Sequence, residues 1–563
     1  MKNIIKSVFL GIALLLTTSC EDFLKVNYYD ILPGDFMFLT EENAYAGLMG
    51  CYDTFYPLKS NDPTGGLGLW GLNPQIKLSN HPTMDTQASG WDKMYNTQDW
   101  TADNEEFVYL WVAAYRAVNR CNEFLEGIKG MEDKLFAKPE TKRLMEAQAR
   151  AIRAYNYLIL VKNFGRIPML VTGETYTNTP AKPRPADDSG TYDVIVEDFT
   201  FATGVLDWTP IDGKYGHLTK GFCLAFLAET YMWMGDYGKA KELYQQIMNS
   251  GTYELLPCYS YLFDENKAWT KEDVWAIIMW SDLGYSMTSW GPREDHYVTA
   301  VWMTGSTEFG GWGSLFISWE CYDSFEDGDR RRMQSMVGLG DTNPWTDQTL
   351  GGSGNTGYTT PKIGEEFMPH VSSTKFWRRR TTGNLVNAPC ALRHVRYSHI
   401  LLNYAECCFN TNDEANGWAA INQIRNRAWG NLEVTLDNPD YPIALLGETV
   451  EVPDAKAYYT QYKANKGYSA DLGILAVNME RRHEHNAEFS FFYDLKRTKM
   501  IGEFVNIEYP KGVGTPPSAP GANLDKRTYR TFDHNDDKMV FPIPTDEMLI
   551  NKGIELGDQN KGY

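Results

Sequence analysis

The sequence predicts an all-α fold in which short amphipathic helices stack as hairpins and carry one large, irregular insertion. Residues 220–249 contain two apolar stripes at helical spacing, separated by Gly235 and Asp236. Similar spacing recurs in several segments on both sides of this stretch. Between residues 251 and 389 the helical spacing is lost, and aromatic residues alternate with glycines. We therefore expect a helical frame that carries a face built from loops.

The segment 220–249 shows how the frame is built. Its first stripe contains Leu227, Ala228 and Tyr231, and its second contains Tyr237, Ala240, Leu243, Tyr244, Ile247 and Met248. Small Ala228 and Ala240 fall where two helices would touch, and Tyr231 and Tyr244 fall where rings would fill the gaps, so the segment resembles a tetratricopeptide hairpin. One such hairpin cannot bury its apolar face alone, so similar neighbours are expected.

Helical spacing also predicts the other elements of the frame. The predicted helices span residues 40–56, 104–128, 140–163, 191–206, 396–409, 418–427 and 472–499. Thr40 is in position to cap the first of these, and Gly165 with Pro168 ends the third. Residues 60–101 are predicted to be a loop rich in Gly, Pro and Asn, and residues 431–470 a polar stretch without a helix.

Composition and charge restrict the class of protein. The chain has 563 residues, of which 43% are hydrophobic and 14% aromatic, so a packed core is expected. Its formal net charge is −20 and its pI is about 5.0. This acidic balance argues against a nucleic-acid partner, because binding to phosphate needs clustered Lys and Arg. The one basic cluster, at residues 375–380, is predicted to be a solvated turn.

Residues 1–20 are predicted to be a targeting segment. Lys2 and Lys6 precede an apolar run at residues 8–16, which is too short to span a bilayer. Small residues then precede Cys20, and this order resembles the cleavage and acylation site of a lipoprotein precursor. Cys20 is therefore expected to carry the lipid that anchors the mature chain to a membrane, and residues 21–563 are expected to form the folded part. An ordinary cleaved signal is the alternative.

The other candidate sites of chemistry give little support for catalysis or metal binding. The eight remaining cysteines are scattered and form no CxxC pair, which argues against a disulfide scaffold or a structural zinc site, although one or two bridges stay open. His483, Glu484 and His485 are neighbours that would point in different directions on a helix. No metal site, cofactor or catalytic residue is predicted.

Four separated pairs of segments together resemble the SusD-like (RagB/SusD) family of outer-membrane nutrient-binding lipoproteins. They are RAYNY at 153–157 with FGRIP at 164–168, LLNYAE at 401–406 with INQIRNRA at 421–428, ERRHE at 480–484 with DLKR at 494–497, and FPIP at 541–544 with QNKGY at 559–563. Phe489, Phe491 and Lys561 depart from the family pattern and are interpreted as changes in the scaffold.

The resemblance implies a body of about four tetratricopeptide-like hairpins whose irregular face holds a sugar. It also implies a location on the outer membrane, facing the cell exterior, and a SusC-like TonB-dependent transporter as the partner that receives oligosaccharide. In the family, the pocket is built from the loop after the first helix and from the insertion after the central hairpins. Those correspond here to residues 60–101 and about 280–315.

Aromatic and acidic residues in these two loops are the candidate ligand contacts. Sugar rings present flat C–H faces that stack on indole or phenol rings, and their hydroxyls need polar partners. The candidates are Asp85 and Trp91 from the first loop, and Tyr285, Trp290, Trp302 and Trp312 from the second. Each tryptophan could instead be part of a satellite core, and Asp85 could instead form a turn.

Two other functions remain as alternatives at this stage. An all-α glycoside hydrolase or polysaccharide lyase would also combine a helical body with an aromatic cleft, but hydrolysis needs two carboxylates at a defined separation, and the sequence offers no such pair. A peptide-binding repeat scaffold would use the concave helical surface. The identity of the sugar, its linkage and its length stay open.

Overall fold

The computed structural model describes residues 37–55, 73–87, 93–210, 213, 216–263, 269–279, 315–337, 341, 362–363, 366–367, 371–375, 390–430, 451–505, 509–511, 528–530 and 534–563. In these residues helices dominate and strands are short. The predicted all-α class is therefore confirmed.

The helices of this part of the chain are numbered in order. They are α1 (Glu41–Tyr52), α2 (Asn73–Asn80), α3 (Lys93–Thr97), α4 (Glu105–Gly130), α5 (Pro139–Phe164), α6 (Ser189–Thr203), α7 (Lys220–Trp233), α8 (Tyr237–Asn249), α9 (Trp319–Asp323), α10 (Arg331–Ser335), α11 (Tyr397–Asn410), α12 (Glu414–Ala428), α13 (Ala455–Lys466), α14 (Leu472–Glu484), α15 (Phe491–Arg497), α16 (Ile501–Val505) and α17 (Thr545–Ile550).

The strands form small antiparallel sheets. They are β1 (Thr86–Gln87), β2 (Asp273–Met279), β3 (Phe316–Ile317), β4 (Met336–Val337), β5 (Lys362–Ile363), β6 (Glu366–Phe367), β7 (Val371–Ser373), β8 (Cys390–Arg396), β9 (Tyr509–Lys511) and β10 (Thr528–Arg530). One sheet has the order β1-β3-β7-β4, and the pairs β2-β8, β5-β6 and β9-β10 form two-stranded ribbons.

The helical body consists of consecutive helix pairs joined by short connections. The pairs are α4 with α5, α7 with α8, α11 with α12, and α13 with α14. α6 packs between α5 and α7, α8 packs on α11, and α14 packs on both α11 and α12. Ala228 and Ala240 are fully buried, and Gly235 makes the turn between α7 and α8 with a φ of 81°. These pairs agree with the expected tetratricopeptide-like hairpins.

Three predicted boundaries differ from the structure. The helix expected over 472–499 is two helices, α14 and α15, separated by a turn in which Ala487 has a φ of 56°. α13 lies in the stretch predicted to lack a helix, where Asp454 caps it and Gly467 ends it in a left-handed conformation. Its apolar stripe is thin, since Ala455 and Tyr459 are its only buried residues. α2 and α3 lie in the predicted loop 60–101.

Most buried apolar side chains of the described residues form one cluster that runs through the helical body. The insertion contributes smaller clusters. In one, Ala487 from the turn after α14 packs with residues of the insertion, which are Ile317, Cys321, Phe325, Met336 and Val371. Another is formed by Tyr259, Leu262 and Phe263. None of the helices in the described ranges has the length and apolar content needed to cross a membrane.

Candidate functional site

The sheet that contains β1 and β3 brings the two predicted binding loops together. Gln87 pairs with Phe316 and Thr86 with Ile317 in an antiparallel arrangement. The chain therefore leaves β1 at the same end at which it enters β3. Gln87 in the first loop and Phe316 in the insertion are thus neighbours at one end of this sheet.

The ribbon of β2 and β8 likewise brings together two positions that are far apart in the chain. Asp273 pairs with Arg396 at one end, and Met279 pairs with Cys390 at the other. The chain leaves β2 after Met279 and enters β8 at Cys390, so these two positions are neighbours. The body of the molecule therefore holds the ends of the insertion in fixed register.

Asp85 directly precedes β1, at the junction where the first loop pairs with β3 of the insertion. It is buried and does not face an open groove. Its carboxylate is buried, with Oδ1 2.5 Å and Oδ2 2.8 Å from the guanidinium of Arg482 on α14. Its carbonyl accepts the backbone N–H of Ser318 at 2.7 Å. Asp85 thus joins the first loop, the insertion and α14. This placement favours the structural alternative over the expected contact with a sugar hydroxyl.

The other candidate contacts are outside the residues that the structure describes. They are Trp91, Tyr285, Trp290, Trp302 and Trp312, and Cys20 is outside them as well. Two other aromatic residues of the first loop, Tyr95 and Trp100, are buried and stack with ring centroids 6.5 Å apart. The aromatic content of that loop is therefore partly core.

A buried ionic layer fixes the insertion to the helical body. It consists of Glu272, Asp329, Arg331, Lys375, Arg396, Arg425, Arg427, Glu480, Glu484 and Glu488, all buried. Glu326 also pairs with Arg425 at the margin of this layer. A buried charge is costly unless it is paired, and each of the ten side chains has an oppositely charged partner within the layer.

Glu484 is the centre of the ionic layer. Its carboxylate lies 2.6 Å from Arg396 Nη1 and 3.1 Å from Arg331 Nη1, and it also binds Arg427. Burial opposes ionisation of this carboxyl. Arg427, Arg396 and Arg331 outweigh that effect and hold the pKa of Glu484 well below its usual range.

The neighbouring carboxylates follow the same rule. Burial again opposes ionisation, but Arg331 and Arg425 lower the pKa of Glu480 to about 2. Arg396 and Lys375 lower the pKa of Glu488 to about 2. All three carboxylates are therefore ionised at neutral pH, and each connects α14 or the turn after it to residues of other segments.

The ionic layer corrects one prediction about the basic cluster. Lys375 is not part of a solvated turn, because its Nζ lies 2.6 Å from Glu488 Oε1 and donates to the carbonyl of Glu484 at 2.9 Å. The side chain is 1% exposed. Sequence reasoning missed the layer as a whole, although Glu480, Glu484 and Glu488 recur at a spacing of four, which places acids on one helical face.

The histidines beside this layer have separate partners. His483 stacks on Phe325 with centroids 4.3 Å apart, whereas His485 stacks on His399 at 3.6 Å. Glu484, between them, is held by the arginines. In the described part of the chain no group of His, Cys, Asp and Glu is arranged to hold a metal ion.

The fold and these features define a helical-repeat protein whose body carries an insertion that is fixed by short strands and buried ion pairs. Residues 271–563 match the model of the SusD family, and residues 71–232 match a model described as starch-binding associating with outer membrane. The first match alone covers more than half of the chain, so the chain belongs to the SusD family.

Relatives and solved structures agree with this assignment. SusD-like protein P2 of Formosa agariphila is 24% identical over 569 residues, which cover 98% of each chain. The fold is similar to that of a SusD-like carbohydrate binding protein from Bacteroides fragilis, with a TM-score of 0.68, 20% identity and coverage of 92% of this chain and 100% of that one. It is also similar to surface glycan-binding protein A from Bacteroides thetaiotaomicron in complex with laminarihexaose, with a TM-score of 0.65, 19% identity and coverage of 92% and 99%.

Proposed function

We propose that this chain is a non-catalytic, surface-anchored lipoprotein that captures glycan at the outer membrane and passes oligosaccharide to a SusC-like TonB-dependent transporter. Membership of the SusD family supports this proposal. So do the names of similar structures, which include a laminarin binding SusD-like protein, and the starch-binding description of the second family model.

The proposed ligand contacts are Trp91, Tyr285, Trp290, Trp302 and Trp312. The observation that carries the proposal is the pairing of β1 with β3, since Trp91 follows Gln87 closely and Trp312 shortly precedes Phe316. Chain segments that leave one sheet edge side by side can present their rings to one ligand. Asp85 is not in this set, because Arg482 occupies both of its carboxylate oxygens.

Affinity electrophoresis with a panel of polysaccharides tests the proposal. We expect the wild-type chain to be retarded by at least one neutral glycan of a panel that contains laminarin and starch. Trp290→Ala and Trp302→Ala should each weaken binding by about tenfold or more, because buried aromatic anchors carry most of the energy of a binding site. Trp208→Ala is the matched control, since this half-buried tryptophan lies in the helical body. Unchanged retardation in both loop variants would instead place binding on the concave helical surface, which is the surface that a peptide-binding repeat scaffold would use.

The same samples decide between a binding protein and the alternative enzyme. We expect no new reducing ends after long incubation with any glycan that causes retardation. Glycoside hydrolysis needs an acid and a second carboxylate on opposite sides of the bond. In the described part of the junction, Asp85 and Glu484 are both engaged by arginines. Release of reducing ends would place the hydrolase or lyase first.

The anchor and the transporter need separate tests. We expect Cys20→Ala to remove a lipid-sized mass from the mature amino terminus and to release the chain from membranes. We also expect the wild-type chain, extracted in mild detergent, to co-purify with a TonB-dependent barrel. A lipid-free mature Cys20 would remove the anchor from the proposal but leave the glycan-binding result standing.

A further inference from the structure

A small, partly open cavity lies between elements of the helical body. Its volume is about 60 Å³, and it lies where α5, α7 and α11 meet β8 and the turn between α14 and α15. Tyr155, Ala225, His394, His399 and Ser490 are among the residues that line it.

Polar atoms on the wall of this cavity lack a hydrogen-bond partner. His394 Nε2, His399 Nε2 and Ser490 Oγ are buried and have no partner among the described residues. The two histidines are only 6% and 5% exposed. Buried polar atoms in native proteins are nearly always paired with protein or with ordered water. Three unpaired atoms around one cavity therefore indicate an occupant that forms hydrogen bonds.

The protonation states of the two rings, and the tautomer of His399, show which hydrogen bond an occupant of the cavity must accept. Burial, reinforced by Arg396, lowers the pKa of His399 to about 4, and burial with nearby Lys162 lowers the pKa of His394 to about 3. Both rings are therefore neutral at pH 7. His399 Nδ1 accepts the backbone N–H of Arg396 at 3.2 Å, so the proton of this ring is on Nε2. That N–H needs an acceptor.

The charges on the wall favour a neutral occupant. Lys162 Nζ lies 2.8 Å from Glu229 Oε1, and Asp494 Oδ1 lies 2.8 Å from Arg497 Nη2. The charged side chains that line the cavity are thus already neutralised by ion pairs. An additional bare ion would have no counterion there.

We propose that this cavity is a permanent water site, whose ordered water accepts the His399 Nε2–H and bridges to His394 and Ser490. The volume is sufficient, because a buried water needs roughly 10–15 Å³ of space and two to four polar partners. The water links β8 and α11, which follow each other directly in the chain, to the turn before α15, which is far from them in sequence.

A high-resolution crystal structure of the full mature chain tests this site. We expect density peaks of water strength at hydrogen-bond distance, about 2.7–3.2 Å, from both Nε2 atoms and from Ser490 Oγ. In crystals pressurised with xenon we expect no xenon at this position, since xenon enters dry apolar cavities. An empty cavity, a bound xenon atom or a peak too strong for oxygen would each overturn the proposal.

Ser490→Ala provides the matched variant. It removes one partner of the water and leaves the wall otherwise unchanged, so the peak beside residue 490 should weaken while the peak beside His399 persists. If density beside residue 490 is the same in Ser490→Ala as in the wild type, Ser490 does not hold water and the bridging arrangement is wrong.

Discussion

The helical body and the insertion both contain buried ion pairs, but they differ in how much of their contact is apolar. In the body, consecutive helices bury apolar stripes against each other, and small residues such as Ala228 and Ala240 let them approach closely. The insertion has much smaller apolar clusters of its own. Its strand β2 joins the main cluster through Val274, Trp275 and Ile277, and buried charges that reach α12 and α14 also fix the insertion to the body. Local apolar packing thus builds the frame, whereas long-range ion pairs determine where the loops begin and end.

This difference has a consequence for the proposed binding face. A hydrophobic contact tolerates small shifts, but a buried ion that loses its partner is strongly destabilising. The ionic layer therefore defines one position for β2, β8 and the segment around Arg331. The ends of the proposed glycan-binding loops would therefore also be held in one position.

Low pH should produce the largest difference in stability between the helical body and the insertion. The carboxyls of Glu480 and Glu488 have a pKa of about 2 in the folded protein and about 4.5 when unfolded, so the stability they add is present above pH 4.5 and is lost as the pH falls towards 2. His394 and His399 are buried and neutral. The stability that these neutral rings contribute declines as the pH falls below 6.5. At that pH the histidines of the unfolded chain begin to take up protons, whereas the buried rings do not.

We therefore expect the urea midpoint to be level above about pH 7, to fall from pH 6.5 and to fall more steeply below pH 4.5. Hydrogen exchange at about pH 4 should show β2 and β8 losing protection before α4 and α5. A constant midpoint down to about pH 3, or simultaneous loss of protection in both regions, would show that the ionic layer does not distinguish them.

Removal of the central carboxylate should have the next largest effect. Glu484→Gln keeps the shape of the side chain but leaves Arg331, Arg396 and Arg427 with one negative charge fewer. Because this breaks a fully buried pair, we expect the free energy of unfolding to drop by about 3–5 kcal/mol, measured by urea denaturation.

Glu414→Gln is the control for this variant. Glu414 pairs with Lys456 at 2.9 Å on the surface, where both side chains are more than half exposed. We expect no measurable change in the midpoint of this control, because exposed pairs contribute little. If the two variants are equally stable, the buried layer is not what holds the insertion.

Asp85→Asn decides between the two roles considered for this residue. A structural Asp85 has one cation partner, so its replacement should cost about 3 kcal/mol, the lower end of the range for a buried pair. A ligand contact would instead weaken glycan binding with stability unchanged. Asp53→Asn is the control, because Asp53 pairs with Arg120 at 3.1 Å with both side chains partly exposed.

The frame could be predicted from the sequence because its signal is local. Apolar residues at helical spacing indicated α4, α5, α7 and α8 to within a few residues of their bounds. The pattern failed where tertiary contacts decide the conformation. The turn after α14 puts Ala487 at a positive φ, and Ala487 packs in the apolar cluster of the insertion, which no local pattern reveals.

The site could be predicted only in part, for a related reason. Residue type indicated aromatic loops, but the role of Asp85 depends on Arg482, which lies 397 positions further along the chain. Burial of Lys375 depends in the same way on Glu488. A charged residue in a loop has the same appearance in a sequence whether it faces a ligand or closes a buried pair.

The smallest expected effect concerns packing in the helical body. Gly473, the second residue of α14, lies against the Phe409 ring of α11, and a Cβ at this position would overlap the ring. Because a packed core accepts extra volume poorly, Gly473→Ala should lower the free energy of unfolding by about 1–3 kcal/mol.

Gly190 is the matched control, because it is the second residue of α6 and has open space around it. Gly190→Ala should raise the free energy of unfolding by about 0.4–1 kcal/mol, because alanine lowers the conformational entropy of the unfolded chain. Opposite signs for this pair of variants in urea denaturation would show that apolar contact between helices, and not helix propensity, stabilises the body. Equal changes would contradict that account.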